Sequence, residues 1–409
     1  MVNLIKYELK KHFLKRSILI AILIFSVINF IKIHSIYQEN SYIAESTSPI
    51  WHEVYWKLYD QFSGVITQEK IEELLSIYRP LEQKTADLTA STRTDDPNTY
   101  TGNVYSDYYL LTRYYVQPME YAYMYQFAAN DIVGTAQNNM IFYDEIGNKY
   151  KYRENQMIAK LFANRSITDL SYTEMYQYYL EYDFSSLLVL LICLYGLVGV
   201  FVSEKEADMD TLLLTTVSGG RKTVLAKIIA SMLFIFVVCL WFWLLDFVGF
   251  SIIFGSLEGA ALPIYTLKSF ENACINLSMS QYAIVSAVIK TGGMMVLGEI
   301  FLLISSASKN AMLPFSANLV VTGIAILHKE IMEGSGYILA KIANPFILVA
   351  NSELFRQTEF VNFLGIPVQS YVGALGLGIL MGIVFLFLLL FTGRKNAIVK
   401  GKAGANNEL

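Results

Sequence analysis

The sequence predicts an all-α integral membrane protein of six transmembrane helices, with a mainly helical extracellular domain between helices 1 and 2. Three observations carry this reading. More than half of the 409 residues are hydrophobic and only 16% are charged, below the roughly 25% typical of soluble domains. The apolar residues gather into six stretches, at 17–37, 184–202, 228–250, 282–306, 311–328 and 371–391. Each meets or approaches the ~20 residues that a helix rising ~1.5 Å per residue needs to cross ~30 Å of hydrocarbon. Lysine and arginine, finally, are placed asymmetrically around these stretches.

Taken in chain order, residues 1–16 read as a cytoplasmic interfacial helix, because Leu4, Ile5, Leu9 and Phe13 share one face and lysines the other. The stretch 17–37 is too long for a signal-peptide core and no small-residue cleavage site follows it, so it reads as a retained helix. Basic residues flanking spans prefer the cytoplasm. Lys10, Lys11, Lys15 and Arg16 precede the first span, and Arg394, Lys395, Lys400 and Lys402 follow the sixth. Both termini are therefore expected to be cytoplasmic, with a tail at 392–409. Lys205, Arg221, Lys222 and Lys227 place 203–227 on the same side, as Lys309 does the turn after the fourth span. Segments 38–183, 251–281 and 329–370 then face outward.

The 38–183 segment is long enough to be a domain and carries 21 acidic against 11 basic residues. Ile71, Leu74, Leu75, Tyr78 and Leu81 keep the spacing of one helical face. Ser171 and Glu174 have the Ser-x-x-Glu spacing of a capping box that would start a helix running continuously into the second span. Gly147-Asn148, between Ile141–Glu145 and Lys149–Tyr152, suggests a β-hairpin, and 89–103 a loop. The domain holds 21 tyrosines. They suit either a surface gripping a peptide or amphiphile, or a core lying against the headgroups. The apolar segment 337–350 is too short to span and is interrupted by Lys341 and Pro345.

Several functional classes are disfavoured. Two of the three cysteines, Cys193 and Cys239, lie within spans and none lies in 38–183, so neither a disulfide framework nor a Cys/His metal site is expected. A net charge of −4 gives no reason to expect a nucleic-acid partner. Gly219-Gly220-Arg221-Lys222-Thr223 only approaches a phosphate-binding loop, since Arg221 separates the glycine from the lysine. No span pairs a serine or cysteine nucleophile with a histidine base, so an enzyme is not expected.

The most informative stretch is Glu204 to Lys227, EKEADMDTLLLTTVSGGRKTVLAK. Glu204 is the first residue past the second span able to stay hydrated and charged. Glu206, Asp208 and Asp210 follow, then Leu212, Leu213 and Leu214, a Ser218-Gly219-Gly220 break, and Arg221 at a basic helix start. An acidic first turn followed by an apolar run and a glycine break fits a short amphipathic helix. The segment resembles the coupling-helix region of the type 2 ABC transporter permease family, the ABCG-like exporters. Glu204, Leu213, Leu214, Thr215, Arg221 and Lys227 match its pattern, while Asp208 stands where the family often has glycine. The amphipathic start, the six-span plan and a re-entrant helix before the last span extend the resemblance over the whole chain.

That resemblance implies a permease subunit without a cofactor of its own, with ATP and Mg on a separate ATPase subunit. It implies contacts with that ATPase through Glu204, Glu206, Asp210, Leu212, Leu213, Leu214 and Arg221, and with a second permease copy or a homologous permease. Membrane lipids complete the expected partners, and the cell membrane is the expected location. The acidic, tyrosine-rich domain makes an amphiphilic or peptide substrate the first expectation. The alternative is a non-transporting membrane receptor or immunity protein that captures a ligand with its 38–183 domain. Charges inside a membrane are costly and point to function by default, which singles out Asp246, Lys290 and Glu299. Asp246 and Lys290 lie at similar depth and are candidates to pair. Ala374, Gly378 and Gly382 form a small-residue ridge suited to close helix approach.

Overall fold

The computed structural model of the chain describes residues 1–44, 49–87, 95–207, 209, 220–332, 334 and 336–405, the last fourteen by their backbone alone. Among the described residues, six helices are long and apolar enough to cross a membrane. They are α2 (Arg16–Asn40), α9 (Phe184–Glu206), α10 (Arg221–Phe254), α11 (Met279–Ala307), α12 (Met312–Met332) and α16 (Ser370–Ala405). Each covers one of the apolar stretches. Before them, α1 (Val2–Glu8) tightens into a π-helical turn over Leu9–Phe13.

Between α2 and α9 lies the domain formed by α3 (Pro49–Phe62), α4 (Gln68–Ala86), α5 (Val104–Leu111), α6 (Gln117–Glu145), α7 (Lys149–Phe162) and α8 (Glu174–Leu180). Leu74, Tyr78 and Leu81 form the buried face of α4, as their spacing predicts. Two antiparallel two-residue strands, β1 (Gly64–Val65) and β2 (Asp169–Leu170), close the domain on itself.

Two local expectations are corrected. Gly147-Asn148 joins two helices, not two strands: Ile141–Glu145 completes the 29-residue α6, and α7 packs back along it. Gly147 ends the helix with φ +71°, a left-handed conformation that costs glycine little, and the Asn148 side chain caps α7 by accepting from the Lys151 N–H at 3.1 Å. Residues read as a hairpin turn are thus a helix stop followed by a helix start. The Ser171–Glu174 capping box is also absent. Thr173 precedes α8, and Glu174 turns inward, accepting from Ser41 (2.7 Å), Tyr114 (3.0 Å) and Tyr172 (3.3 Å). A buried carboxylate with three hydroxyl donors is worth more than a solvated cap. The helix does not run unbroken into the second span, for 181–183 separate α8 from α9.

After α10 a series of 3₁₀ turns, including Glu258–Ala261 and Ile264–Thr266, leads to α11. Ser278 and Gln281 start α11 with a reciprocal capping box. The apolar segment around Pro345 forms two short helices, α13 (Ile338–Ile342), buried only at Lys341 and Ile342, and the buried α14 (Phe346–Val349), followed by α15 (Ser352–Arg356) and a hairpin of β3 (Phe360–Phe363) and β4 (Ile366–Gln369) that the periodicity does not foreshadow. The small-residue ridge of α16 packs within the chain. A Cβ on Gly378 would lie 2.6 Å from Leu348 Cδ1 of α14, and one on Gly382 would meet Val296 and Glu299 of α11. Gly293 of α11 accepts the backbone of Leu348 in the same way.

The tyrosines build the core. Tyr55, Tyr59, Tyr115, Tyr172, Tyr176 and Tyr182 are buried in one cluster that continues into Phe250, Phe254, Tyr282 and Phe355 at the adjoining ends of α10, α11 and α15, and into Phe270 of the connection between α10 and α11. A second cluster fills the remainder of the helical bundle, from Phe13 through Leu197 and Phe234 to Phe301. Tyr115 is fully buried and donates from its hydroxyl to the Tyr55 carbonyl at 2.7 Å. Tyr115→Phe, which keeps the ring, is expected to cost about 1 kcal/mol, and Tyr115→Ala about 3–5 kcal/mol. Thermal unfolding of the detergent-solubilised chain measures both. Equal losses for the two variants would remove the ring from the core.

Candidate functional site

The residues that matter chemically collect in two places. The first is the end of the bundle where α1, α9 and α10 meet. Phe13 stacks on Phe234 of α10 with centroids 4.4 Å apart, and Gly196 of α9 leaves room beside that ring, so the N-terminal helix lies across both. Its apolar face carries Glu8 and His12, one turn apart and both almost fully buried. Lys227, in α10, is 2% exposed. Its ammonium stands 2.8 Å from Glu204 Oε1 and 3.9 Å from Glu8 Oε2, and donates to the Val200 carbonyl. Lys11 reaches the same Glu204 oxygen at 2.7 Å, and His12 Nε2 lies 3.2 Å from Glu8 Oε2.

Glu204 is thus a paired carboxylate with a side chain 12% exposed rather than the hydrated residue expected at the end of the second span, because the N-terminal helix folds over it. The two residues that follow hold the turn between α11 and α12. Lys205 donates to the Ser306 and Ser308 carbonyls, and Glu206 accepts from the Ala311 N–H at 2.7 Å. Arg221 is exposed at the first position of α10, after Gly220 with φ +70°. Asp210, Leu212, Leu213 and Leu214 lie outside the described residues.

Glu8, His12 and Glu204 each bring one ligand atom within 4.8 Å of the others, a spacing that suits a divalent metal. The Lys227 ammonium already occupies the position between the carboxylates, so the neutralising cation is supplied by the chain. Burial pushes the Glu8 carboxyl up, but the neighbouring His12 ring and the Lys227 charge outweigh it and leave it below the usual carboxylate range. Burial, only partly offset by Glu8, holds His12 below its ordinary 6.5. The arrangement is an ionised Glu8 beside a neutral imidazole.

The second place lies within the bundle. Asp246 is buried on α10 and accepts from Asn29 Nδ2 of α2 at 2.6 Å and Ser185 Oγ of α9 at 2.5 Å. Tyr182 donates to the other end of the same amide at 2.7 Å. The expected Asp246–Lys290 pair does not form: Lys290 takes Asp183 at 2.8 Å and the Tyr182 carbonyl at 3.1 Å. Two neutral donors already serve both Asp246 oxygens, and Asp183 lies at the break before α9 within reach of the lysine. Both residues nevertheless line one small cavity of about 60 Å³ between α9, α10 and α11. Glu299 faces Gly382 of α16, and among the described residues its Oε2 is buried without a hydrogen-bond partner.

Glu8, His12, Asn29 and Ser185 are not among the residues that the sequence singles out. A signal for the first two existed: they interrupt, four residues apart, the same face that carries Ile5, Leu9 and Phe13. Asn29 was visible as an amide inside an apolar span. For Ser185 there was none.

Two outcomes follow for the ion cluster. Glu204→Gln removes the nearest carboxylate from a buried ammonium and is expected to cost roughly 3–5 kcal/mol. In Lys227→Met/Glu204→Gln much of that loss should return, since no uncompensated charge stays behind. Denaturation of the four members of the cycle gives the coupling, and purely additive losses would contradict the pairing. As to pH, both Glu8 and His12 have folded-state values below their unfolded ones, so the unfolded chain binds more protons in acid. Stability should fall as pH drops below about 6.5 and continue falling through the Glu8 range. His12→Gln should abolish the upper part of that decline in a series of melting curves from pH 8 to 5, and an unchanged profile would remove His12 from the account.

Set against protein-family models, curated proteins and solved structures, the chain matches none of them.

Proposed function

We propose that the chain is the membrane-spanning permease subunit of an ABC exporter, moving an amphiphilic or peptide substrate across the cell membrane with ATP hydrolysis on a separate ATPase subunit. Both termini and 203–227 face the cytoplasm in this reading, and 38–183, 251–281 and 329–370 face outward. The asymmetry of lysine and arginine supports that orientation. A second copy or a homologous permease completes the path between two membrane halves.

One observation carries the reading. Three consecutive residues at the end of α9 hold three other elements: Glu204 the N-terminal helix and α10 through Lys11 and Lys227, Lys205 and Glu206 the turn between α11 and α12. A force applied to the segment that follows, which resembles a coupling helix, would reach four of the six long helices through bonded contacts. Such a lever has a purpose when a partner pushes on it and little purpose otherwise.

The alternative, a membrane receptor or immunity protein, draws on the cavity in the 38–183 domain described below. Affinity purification of the tagged chain from its native membrane separates the two. An ATP-binding subunit should co-purify, and Leu213→Asp should release it by at least about tenfold, because a buried unpaired charge costs more than 1.4 kcal/mol. Recovery of the chain without any ATPase would favour the receptor. Cysteines placed at Asn138 and Lys222 test the orientation: an impermeant thiol reagent should label the first and spare the second in intact cells, and the reverse pattern would invert the topology.

A further inference from the structure

A cavity of about 580 Å³ opens in the 38–183 domain, within the ~300–1,000 Å³ range of sites that enclose small ligands. Its walls come from the start of α6, from 169–177 around β2 and α8, and from 266–269 in the connection between α10 and α11. Of the tyrosines that line it, three have committed hydroxyls. Tyr114 and Tyr172 donate to Glu174, and Tyr121 donates to the Tyr265 carbonyl at 2.8 Å. Their polar ends are therefore spent inside the protein, and the half-buried rings of Tyr114 and Tyr121 are what they offer a ligand.

The charges divide in the same way. Glu174 is held by three hydroxyls, and the Arg113 guanidinium lies 4.3 Å over the Tyr42 ring. Among the described residues no carboxylate or ammonium pairs with Glu120 on α6, with Asp169 on β2, whose side chain accepts from the neighbouring Thr168 hydroxyl, or with the exposed Lys268 on the third wall. Two free carboxylates against one ammonium, set among aromatic faces, favour an amine over an anion. Gln117 and Gln177 add amides suited to a peptide backbone.

We propose that this cavity binds a basic, apolar-flanked segment of a cationic amphipathic peptide, its amine against Glu120 and Asp169 and its apolar side chain against the tyrosine rings. The volume admits a few side chains and not a folded partner. The 266–269 wall gives the site a connection to the bundle. It belongs to a segment riveted to the domain by Arg165, which donates to the Ala273 carbonyl and to Asn276 while stacking on Phe162 and Tyr265. A peptide touching both walls therefore bears on the segment that leads from α10 into α11. That the peptide is the transported substrate rests on the exporter reading, whereas the binding itself does not.

The test is fluorescence anisotropy of the full chain in detergent, with empty micelles subtracted, against three labelled synthetic peptides of equal length. One alternates lysine and leucine, one has glutamate for lysine, and one has serine for leucine. The lysine-leucine peptide should bind about tenfold or more tightly than either other. Glu120→Gln/Asp169→Asn should erase about tenfold of that affinity, and Glu72→Gln, an acidic change on α4 outside the cavity, should leave it intact. Failure of the lysine-leucine peptide to bind, equal binding of the glutamate peptide, or equal weakening by Glu72→Gln would each overturn the proposal. Co-purification of an ATPase without peptide binding would remove the cavity's role and leave the exporter reading standing, and peptide binding without an ATPase would do the opposite.

Discussion

A lysine ammonium buried at the end of a bundle imposes the strongest single constraint on this structure. Moving such an ion from water into a medium of low dielectric carries an idealised cost of order 20 kcal/mol, which only close opposite charge and hydrogen bonds offset. Lys227 meets that requirement with Glu204, Glu8 and the Val200 carbonyl. Those partners sit on different helices, so satisfying one ammonium determines how α1, α9 and α10 come together. The N-terminal helix is held there by charge and by the Phe13–Phe234 stack, a firmer attachment than an interfacial helix resting on lipid alone.

Elsewhere in the bundle the same rule is met by neutral donors at Asp246 and by an ion pair at Lys290. Asp246 is served by an amide and a hydroxyl from two other helices, with Tyr182 bonded behind the amide. Lys290 turns to the start of α9. Each of these two groups thereby links helices that apolar packing alone would leave free to slide, since lipid tails and leucine side chains are equally apolar. Glu299, Ser231 and Asn318 are not tied in this way among the described residues, and one Glu299 carboxylate oxygen faces a glycine.

The domain and the bundle are continuous in a physical sense. One aromatic cluster runs from Tyr55 and Tyr115 to Phe250 and Tyr282, and Arg165 with Tyr125 ties the domain to the segment between α10 and α11. Tyr59 adds a bond to Glu258, and together with burial that bond pushes its hydroxyl up to about 12. The tyrosines that a composition count marks as unusual are mainly structural, and only those with spent hydroxyls and open faces remain for a ligand.

Much of the fold was legible in the amino-acid order. Six apolar runs of the right length fold as six long helices because burying or lipid-solvating such a run leaves its backbone no partners except its own. The face of α4 was equally plain from the spacing of Leu74, Tyr78 and Leu81. Errors arose where one local pattern serves two structures. Gly147-Asn148 satisfies a hairpin and a helix stop alike, and Ser171-x-x-Glu174 satisfies a cap only while no better donors are near. Of the candidate site, the sequence identified Glu204 and Lys227 as notable and Asp246 as costly. It could not show that Glu204 is shared by two lysines, that Glu8 and His12 turn inward, or that Asp246 prefers Asn29 to Lys290. Local order is decided by neighbours three or four residues away, whereas polar pairing is decided by side chains far apart in the chain, such as Asn29 and Asp246 at a separation of 217, which only the packed bundle brings together.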